Sequence, residues 1–344
     1  MSATPQGRLA VLDGWRGISI LLVLAAHLLP LGPKAWRLND AAGPMGMALF
    51  FTLSGFLITR FLLHNASITD FLIRRFFRIV PLAWLVTAIV LLFTAVPAGY
   101  VLPNVLFYAN LPPQQLLPTA PHLWSLGVEM QFYVGIALLV GLAGRRALYL
   151  LPLLCLAVTG HRVIEDAPFD DIVTWRRVDE ILAGGVLALA FEGRLGRLPA
   201  RAQQLLDGNA LVLVCLLTLL LAICSHPAGG FMKFPRPYVA AALVGMTLAF
   251  APPVVARWLT TPVLSYVAAI SFALYVIHLP LVFTWLGEGD KLARYLKRPL
   301  LLAVTFGLAH LSTFQFERRF IAAGKRLSKV LVGRAAAGHV SADT

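Results

Sequence analysis

The stretch LDGWRGISILLVLAAHLLP, residues 12–30, decides the fold class. Its ionisable groups are Asp13 and Arg16 at the start and His27 deep inside. An apolar run of this length crosses a hydrocarbon core of about 30 Å as a helix. Arg16 and His27 are eleven residues apart, so on that helix they return to within about 20° of one face, about 16 Å apart. One stripe is therefore expected to place a fixed cation near one membrane surface and a titratable imidazole near mid-membrane, where ionisable groups are costly and mark function. The plainer alternative makes Arg16 an interfacial anchor and gives His27 a hydrogen bond to a neighbouring helix.

The rest of the chain extends this reading. Of its 344 residues, 59% are hydrophobic and 13% charged, with a mean hydropathy of +0.79; soluble domains carry about 25% charged residues. The expected fold is all-α, a polytopic membrane bundle with room for about ten spans and none for a separate soluble domain. The net charge of +13 does not imply nucleic acid, because the positive residues lie at the ends of apolar segments, where topology and anionic lipid account for them. Cys155, Cys215 and Cys224 lie in apolar runs without metal-ligand spacing, and no metal is expected. The N-terminus lacks a basic region followed by a small-residue cleavage site, so the first span is expected to stay uncleaved.

Apolar runs place spans near 14–32, 44–63, 77–97, 122–143, 147–160, 178–192, 209–225, 237–252, 262–286 and 299–321. With both termini inside, 17 Lys and Arg residues fall on the cytoplasmic side and 11 on the other, which favours that orientation. Residues 1–325 read as one membrane domain, and 326–344 as a small, polar, disordered tail on the cytoplasmic side.

Several polar groups interrupt the apolar pattern. Ser54-Gly55 lets another helix or a ligand approach closely. Arg74, Arg75 and Arg78 crowd the start of the third span; three guanidiniums so close repel unless an anion sits among them, and their forks suit phosphates. The alternative is a topology anchor on lipid phosphate. Pro81 is expected to kink or start the apolar span. In the fourth span, Glu129 shares a face with Ser125 and Tyr133; a buried carboxylate is paired, protonated or functional. His122 and Trp124 near its outer end fit interface anchors. Arg177, Asp179 and Glu180 precede Gly184-Gly185 and can neutralise one another as a structural ion pair. Ser271, Tyr275 and His278 form a polar stripe at i, i+4 and i+7, with Pro280 just beyond. Glu317 beside Arg318 reads as an interfacial pair.

In order, LDGWRGISILLVLAAH, FFTLSGFLIT, FLIRRFFRIVP, HLWSLGVEMQFY, RVDEILAGG, SFALYVIHLP and a final Glu317 resemble acyltransferase family 3, multispanning acyl-CoA-dependent membrane O-acyltransferases. The likeness covers Leu12 to about Arg319, and the family's spaced arginine and histidine correspond to Arg16 and His27. The additional C-terminal hydrolase-like domain of some members is not matched in this sequence.

The resemblance implies transfer of an acyl group, expected to be acetyl, from cytoplasmic acyl-CoA to a hydroxyl of a sugar, glycan or lipid-linked acceptor. Acyl-CoA enters as donor substrate, with no tightly bound cofactor, and the bacterial inner membrane as location. Arg16, Arg74, Arg75 and Arg78 are the expected CoA-phosphate ligands. His27 is the expected general base or acyl carrier, Tyr275 or His278 the oxyanion donor, and Glu129 a group that binds acceptor hydroxyls or orients a catalytic one. Asp13, Ser54, Trp124, Ser125, Tyr133, Arg177, Asp179 and Ser271 are expected to support the acceptor or the site. The alternative is a transporter or flippase in which Arg16, His27, Glu129 and His278 relay protons.

Overall fold

The computed structural model describes residues 5–65, 67–196 and 198–340. Among them no β-strand forms. The α-helices are Pro5–Leu28 (α1), Leu38–His64 (α2), Ile68–Phe93 (α3), Val101–Val105 (α4), Trp124–Ala143 (α5), Leu151–Ile164 (α6), Asp179–Phe191 (α7), Ala200–Gly208 (α8), Ala210–Cys224 (α9), Arg236–Ala249 (α10), Pro253–Leu259 (α11), Pro262–Val282 (α12), Lys291–Leu311 (α13) and Arg318–Val340 (α14). A π-helical segment, Ser312–Glu317, joins the last two.

Each expected span has a helix, but not each helix is long enough to span. Seven stretches among the described residues have the length and apolarity to cross a membrane, and up to nine if two sharply bent pairs, α8 with α9 and α10 with α11, each count as one. The expected ten exceeds this because α7 has 13 residues, about 20 Å of helix against a core of about 30 Å. Leu92, Phe93, Leu142 and Ile164 are 80–87% exposed. Side chains of this kind, displayed so fully on long apolar helices, suit hydrocarbon rather than water. The protein is an integral membrane protein.

The expectation of one domain over 1–325 meets a finer division. The chain forms two compact units, residues 1–60 with 149–275 and residues 61–148 with 276–344; α2 and α12 each contribute to both. In the first unit, helices cross through glycine. A Cβ on Gly55 would lie 1.8 Å from the Ile181 carbonyl oxygen, and one on Gly184 2.0 Å from that of Thr52, so α2 and α7 touch backbone to backbone. Ser54-Gly55 thus admits a helix. Gly14 and Gly17 do the same for α1 against Leu259 and Leu264, and Trp15 anchors that face by donating to Thr247 Oγ1 at 2.8 Å. The core around them includes Val11, Leu12, Leu49, Phe56, Leu243 and Leu259. Arg60 Nε bonds Glu192 Oε1 at 2.7 Å, tying the end of this part of α2 to the residue after α7.

In the second unit, α3 and α14 form the main pairing. Gly324 presses on Phe77, and Ser328 donates to the buried Asp70 carboxylate. Residues 326–340, expected to be a disordered tail, continue α14 as helix; 341–344 lie outside the described residues. Helix α3 starts at Ile68, nine residues before the expected span, because Ser67 caps it by accepting from the Asp70 N–H at 3.1 Å. Pro81 is therefore interior to α3, neither its start nor its end.

Candidate active site

Helix α1 stops at Leu28, ahead of Pro30 and Pro33, since proline removes a donor and disfavours helix in the residue before it. His27 accordingly occupies the last turn of α1 and is exposed, at one end of the apolar stretch 10–28. The expectation that it lies at mid-span ran the hydrophobic segment through LLPLG and so placed the helix end four residues late. Arg16, about 16 Å back along the helix, is half-buried and pairs with Asp13 at 3.3 Å in its own helix. Asp13 thereby acts as counter-ion to Arg16.

The remaining expected groups of the first unit have structural partners as well. Ser271 donates to the Ala268 carbonyl at 2.8 Å, which satisfies its hydroxyl within α12. Tyr275 is buried and stacked on Phe50, ring centroids 6.0 Å apart. Arg177, Asp179 and Glu180 are sealed, each 4% exposed or less, in a network that includes two arginines the sequence reading passed over, Arg162 and Arg236.

The second unit divides the three guanidiniums expected to act together. Arg74 turns to Asp70, one helical turn earlier, and is held there. The Arg75 guanidinium lies 5.7 Å from the centre of the Tyr133 ring. Arg78 lies within electrostatic range of Arg75, Glu317, Tyr133 and Glu129. The reason is helical phase: residues 74 and 75 are 100° apart, so adjacent arginines cannot face the same way. Glu129, 5% exposed, accepts the Tyr133 hydroxyl proton one turn along α5, as their spacing predicted. Ser125, a turn earlier on the same face, is buried.

Two residues here exceed the sequence reading. Glu317, taken for an interfacial partner of Arg318, is 7% exposed and accepts from Thr313 Oγ1 at 3.0 Å and Ser312 Oγ at 3.4 Å. The π-helical segment widens the turn there, a distortion that recurs at functional positions and that no spacing rule in the sequence announces. His122, taken with Trp124 for an interface anchor, is buried with its ring 4.8 Å from that of His278, and its Nε2 lies 3.3 Å from the Val276 carbonyl oxygen. Trp124 itself opens α5 and is half-buried.

Arg75, Arg78, Glu129, Tyr133 and Glu317 thus form one partly accessible polar cluster of mixed charge within an apolar unit. Such a group can hold an anion on its guanidiniums while its carboxylates keep them in place. A family model described as an acyltransferase domain, that of acyltransferase family 3, matches residues 9–314, which contain Arg16, His27 and every member of this cluster but Glu317. The chain belongs to acyltransferase family 3. It is 28% identical over 250 residues to "Putative peptidoglycan O-acetyltransferase YrhL" of Bacillus subtilis, covering 60% of this chain and 38% of that one. It is also 28% identical over 147 residues to "Peptidoglycan O-acetyltransferase OatA" of Listeria monocytogenes, covering 36% of this chain and 22% of that one. The chain therefore matches well under half the length of these curated relatives. No solved structure matches it.

Proposed function

We propose that this protein transfers an acyl group, acetyl in the first instance, from acyl-CoA to a hydroxyl of a carbohydrate acceptor of the peptidoglycan kind for which its relatives are named. The observation that carries this reading is the family match over residues 9–314, taken with the Arg75 and Arg78 guanidiniums that remain partly accessible within it. The orientation with both termini cytoplasmic and the bacterial inner membrane belong to the same proposal.

The roles follow from the chemistry of each group. Arg75 and Arg78 take phosphates of the donor, and Glu129, Tyr133 and Glu317 fix where those guanidiniums point. Arg16 adds positive charge, moderated by Asp13. Arg74, engaged by Asp70, leaves the donor ligands. His27 accepts the proton of the acceptor hydroxyl as its oxygen bonds to the thioester carbon. The oxyanion that results needs a donor, a role open to the Tyr275 hydroxyl or the His278 ring. Its collapse breaks the C–S bond, and the CoA thiolate leaves and takes up a proton.

The test is binding of acetyl-CoA to purified protein in nanodiscs. Arg75→Ala is expected to weaken it about tenfold or more, the worth of a charge-assisted phosphate contact. His27→Ala is expected to bind normally while turnover drops about 10²- to 10⁴-fold. Well-folded wild type that binds neither acetyl-CoA nor longer acyl-CoAs would sink the proposal and favour the transporter reading.

A further inference from the structure

The last stretch of the second unit is longer than a membrane needs. Lys291–Val332 runs as helix for 42 residues, about 63 Å against a hydrocarbon core of about 30 Å. Residues 299–316 contain no Lys, Arg, Asp or Glu, and their length, about 27 Å of helix, nearly matches that core. Arg318 and Arg319, which follow directly after Glu317, therefore stand at a membrane surface, and α14 continues past it.

Helical phase gives α14 three faces. Gly324 and Ser328 turn to α3. Arg318, Arg319, Lys325, Arg326 and Lys329, all exposed, fall within about 120° of one another around the axis. Phe320, Ala323, Leu327, Val330 and Leu331, half-buried or exposed, fill the neighbouring arc of about 100°. Residues 312–332 contain one acidic residue, Glu317, and α3 contains one, Asp70; both are buried and hydrogen-bonded, so the five cations meet no exposed carboxylate on either helix. Where the basic and apolar arcs meet, level with the membrane surface, lies a groove of about 620 Å³ lined by Gln315, Phe316, Arg319, Phe320 and Ala323. The Phe316 and Phe320 rings are 4.8 Å apart. The groove thus combines room, two aromatic rings, a guanidinium and an amide.

We infer that α14 is an interfacial helix whose groove binds an anionic phospholipid of the adjoining leaflet. The headgroup phosphate takes the Arg319 guanidinium and the Gln315 amide, an acyl chain lies against Phe316, Phe320 and Ala323, and the remaining cations draw further anionic headgroups to the basic arc. Charge complementarity selects this occupant. A soluble phosphate compound matches the guanidinium but has no use for the apolar arc beside it. A zwitterionic lipid covers the apolar arc but leaves five like charges uncompensated. The site shares no residue with those assigned to acyl transfer and does not depend on that reading.

The experiment titrates short-chain phosphatidylglycerol, phosphatidylcholine with the same chains, and glycerol phosphate into the purified protein in neutral detergent, following the midpoint of thermal unfolding. A saturable rise is expected with phosphatidylglycerol, half-complete at a concentration about tenfold or more below that for phosphatidylcholine. Glycerol phosphate, which has the charge without the chains, is expected to give no rise at matched concentration. Arg319→Gln, at an exposed position, is expected to keep the lipid-free midpoint and to weaken phosphatidylglycerol about fivefold, the worth of one basic residue near an anionic surface. Replacing Lys325 and Arg326 together by Gln is expected to weaken it several-fold as well, whereas Phe316→Ala weakens both lipids alike. Equal responses to the two lipids, glycerol phosphate as effective as phosphatidylglycerol, displacement of phosphatidylglycerol by coenzyme A, or a titration unchanged in Arg319→Gln overturns the inference.

Discussion

The two units solve the problem of charge in an apolar protein in opposite ways. In the first, Arg162, Arg177, Asp179, Glu180 and Arg236 are sealed and paired, with side chains at most 4% exposed. In the second, Arg75 and Arg78 stay half-buried and are steadied by the Tyr133 ring and by carboxylates at the range of electrostatics. The sealed network costs desolvation and returns specific geometry. The open one leaves guanidiniums free to exchange water for a ligand. Ion networks in one chain therefore differ in use according to access, even where their residue types are the same.

Removing one partner from each network is the strongest way to break that contrast. Asp179→Ala leaves Arg162 buried without its carboxylate, and a cost of about 3–5 kcal/mol is expected. Most of the protein should then fail to elute as a folded species. Glu129→Gln in the second unit keeps an acceptor for the Tyr133 hydroxyl, so stability is expected to stay within about 1 kcal/mol of wild type while acyl transfer falls. Similar stability losses in the two variants would erase the distinction.

Glycine gives a second, smaller contrast. Gly55→Ala pushes a methyl group to 1.8 Å from the Ile181 carbonyl oxygen, where backbone must move, and about 1–3 kcal/mol of destabilisation is expected. Gly135, in α5 of the second unit, has no atom within 4 Å of where a Cβ would stand. Gly135→Ala is expected to be neutral or to stabilise by up to about 1 kcal/mol through helix propensity. Thermal unfolding of both variants in one detergent checks the sign of each.

What could be read from the chain follows from the kind of rule each feature obeys. The helices were legible because apolar runs and Pro/Gly breaks are local, and Tyr133 meeting Glu129 was legible because i,i+4 neighbours share a face. The end of α1 was misplaced because hydropathy continues through Leu28-Leu29-Pro30 while helix geometry does not. The start of α3 was missed for the converse reason, since Ser67 caps a helix whose first turns are polar. His122 against His278 and Arg236 against Glu180 join residues 156 and 56 apart in the chain, and no periodicity encodes such meetings. Glu317 depends on a π-helical turn, which periodicity at 3.6 residues does not foresee.

The last contrast lies within one turn of α3. Arg74 and Arg75 are adjacent in sequence and were read as equivalent donor ligands, yet they face different partners. Arg74 is bound to Asp70, whose carboxylate also takes the Asn65 amide at 2.7 Å and the Ser328 hydroxyl from α14. With Arg74→Ala those two bonds remain, and the lost ion pair is 40% exposed on the arginine side, so screening limits the cost to about 1 kcal/mol of stability. Acetyl-CoA affinity is expected to be unchanged. Arg75→Ala gives up a ring contact at a partly exposed site, about 0.5 kcal/mol of stability, and the donor affinity with it. A titration of both variants with acetyl-CoA beside their unfolding midpoints places each on one axis. Should Arg74→Ala lose donor binding as fully as Arg75→Ala, the anion would have to reach across to the Asp70 side of α3, and the division drawn between fastening and binding arginines would fall.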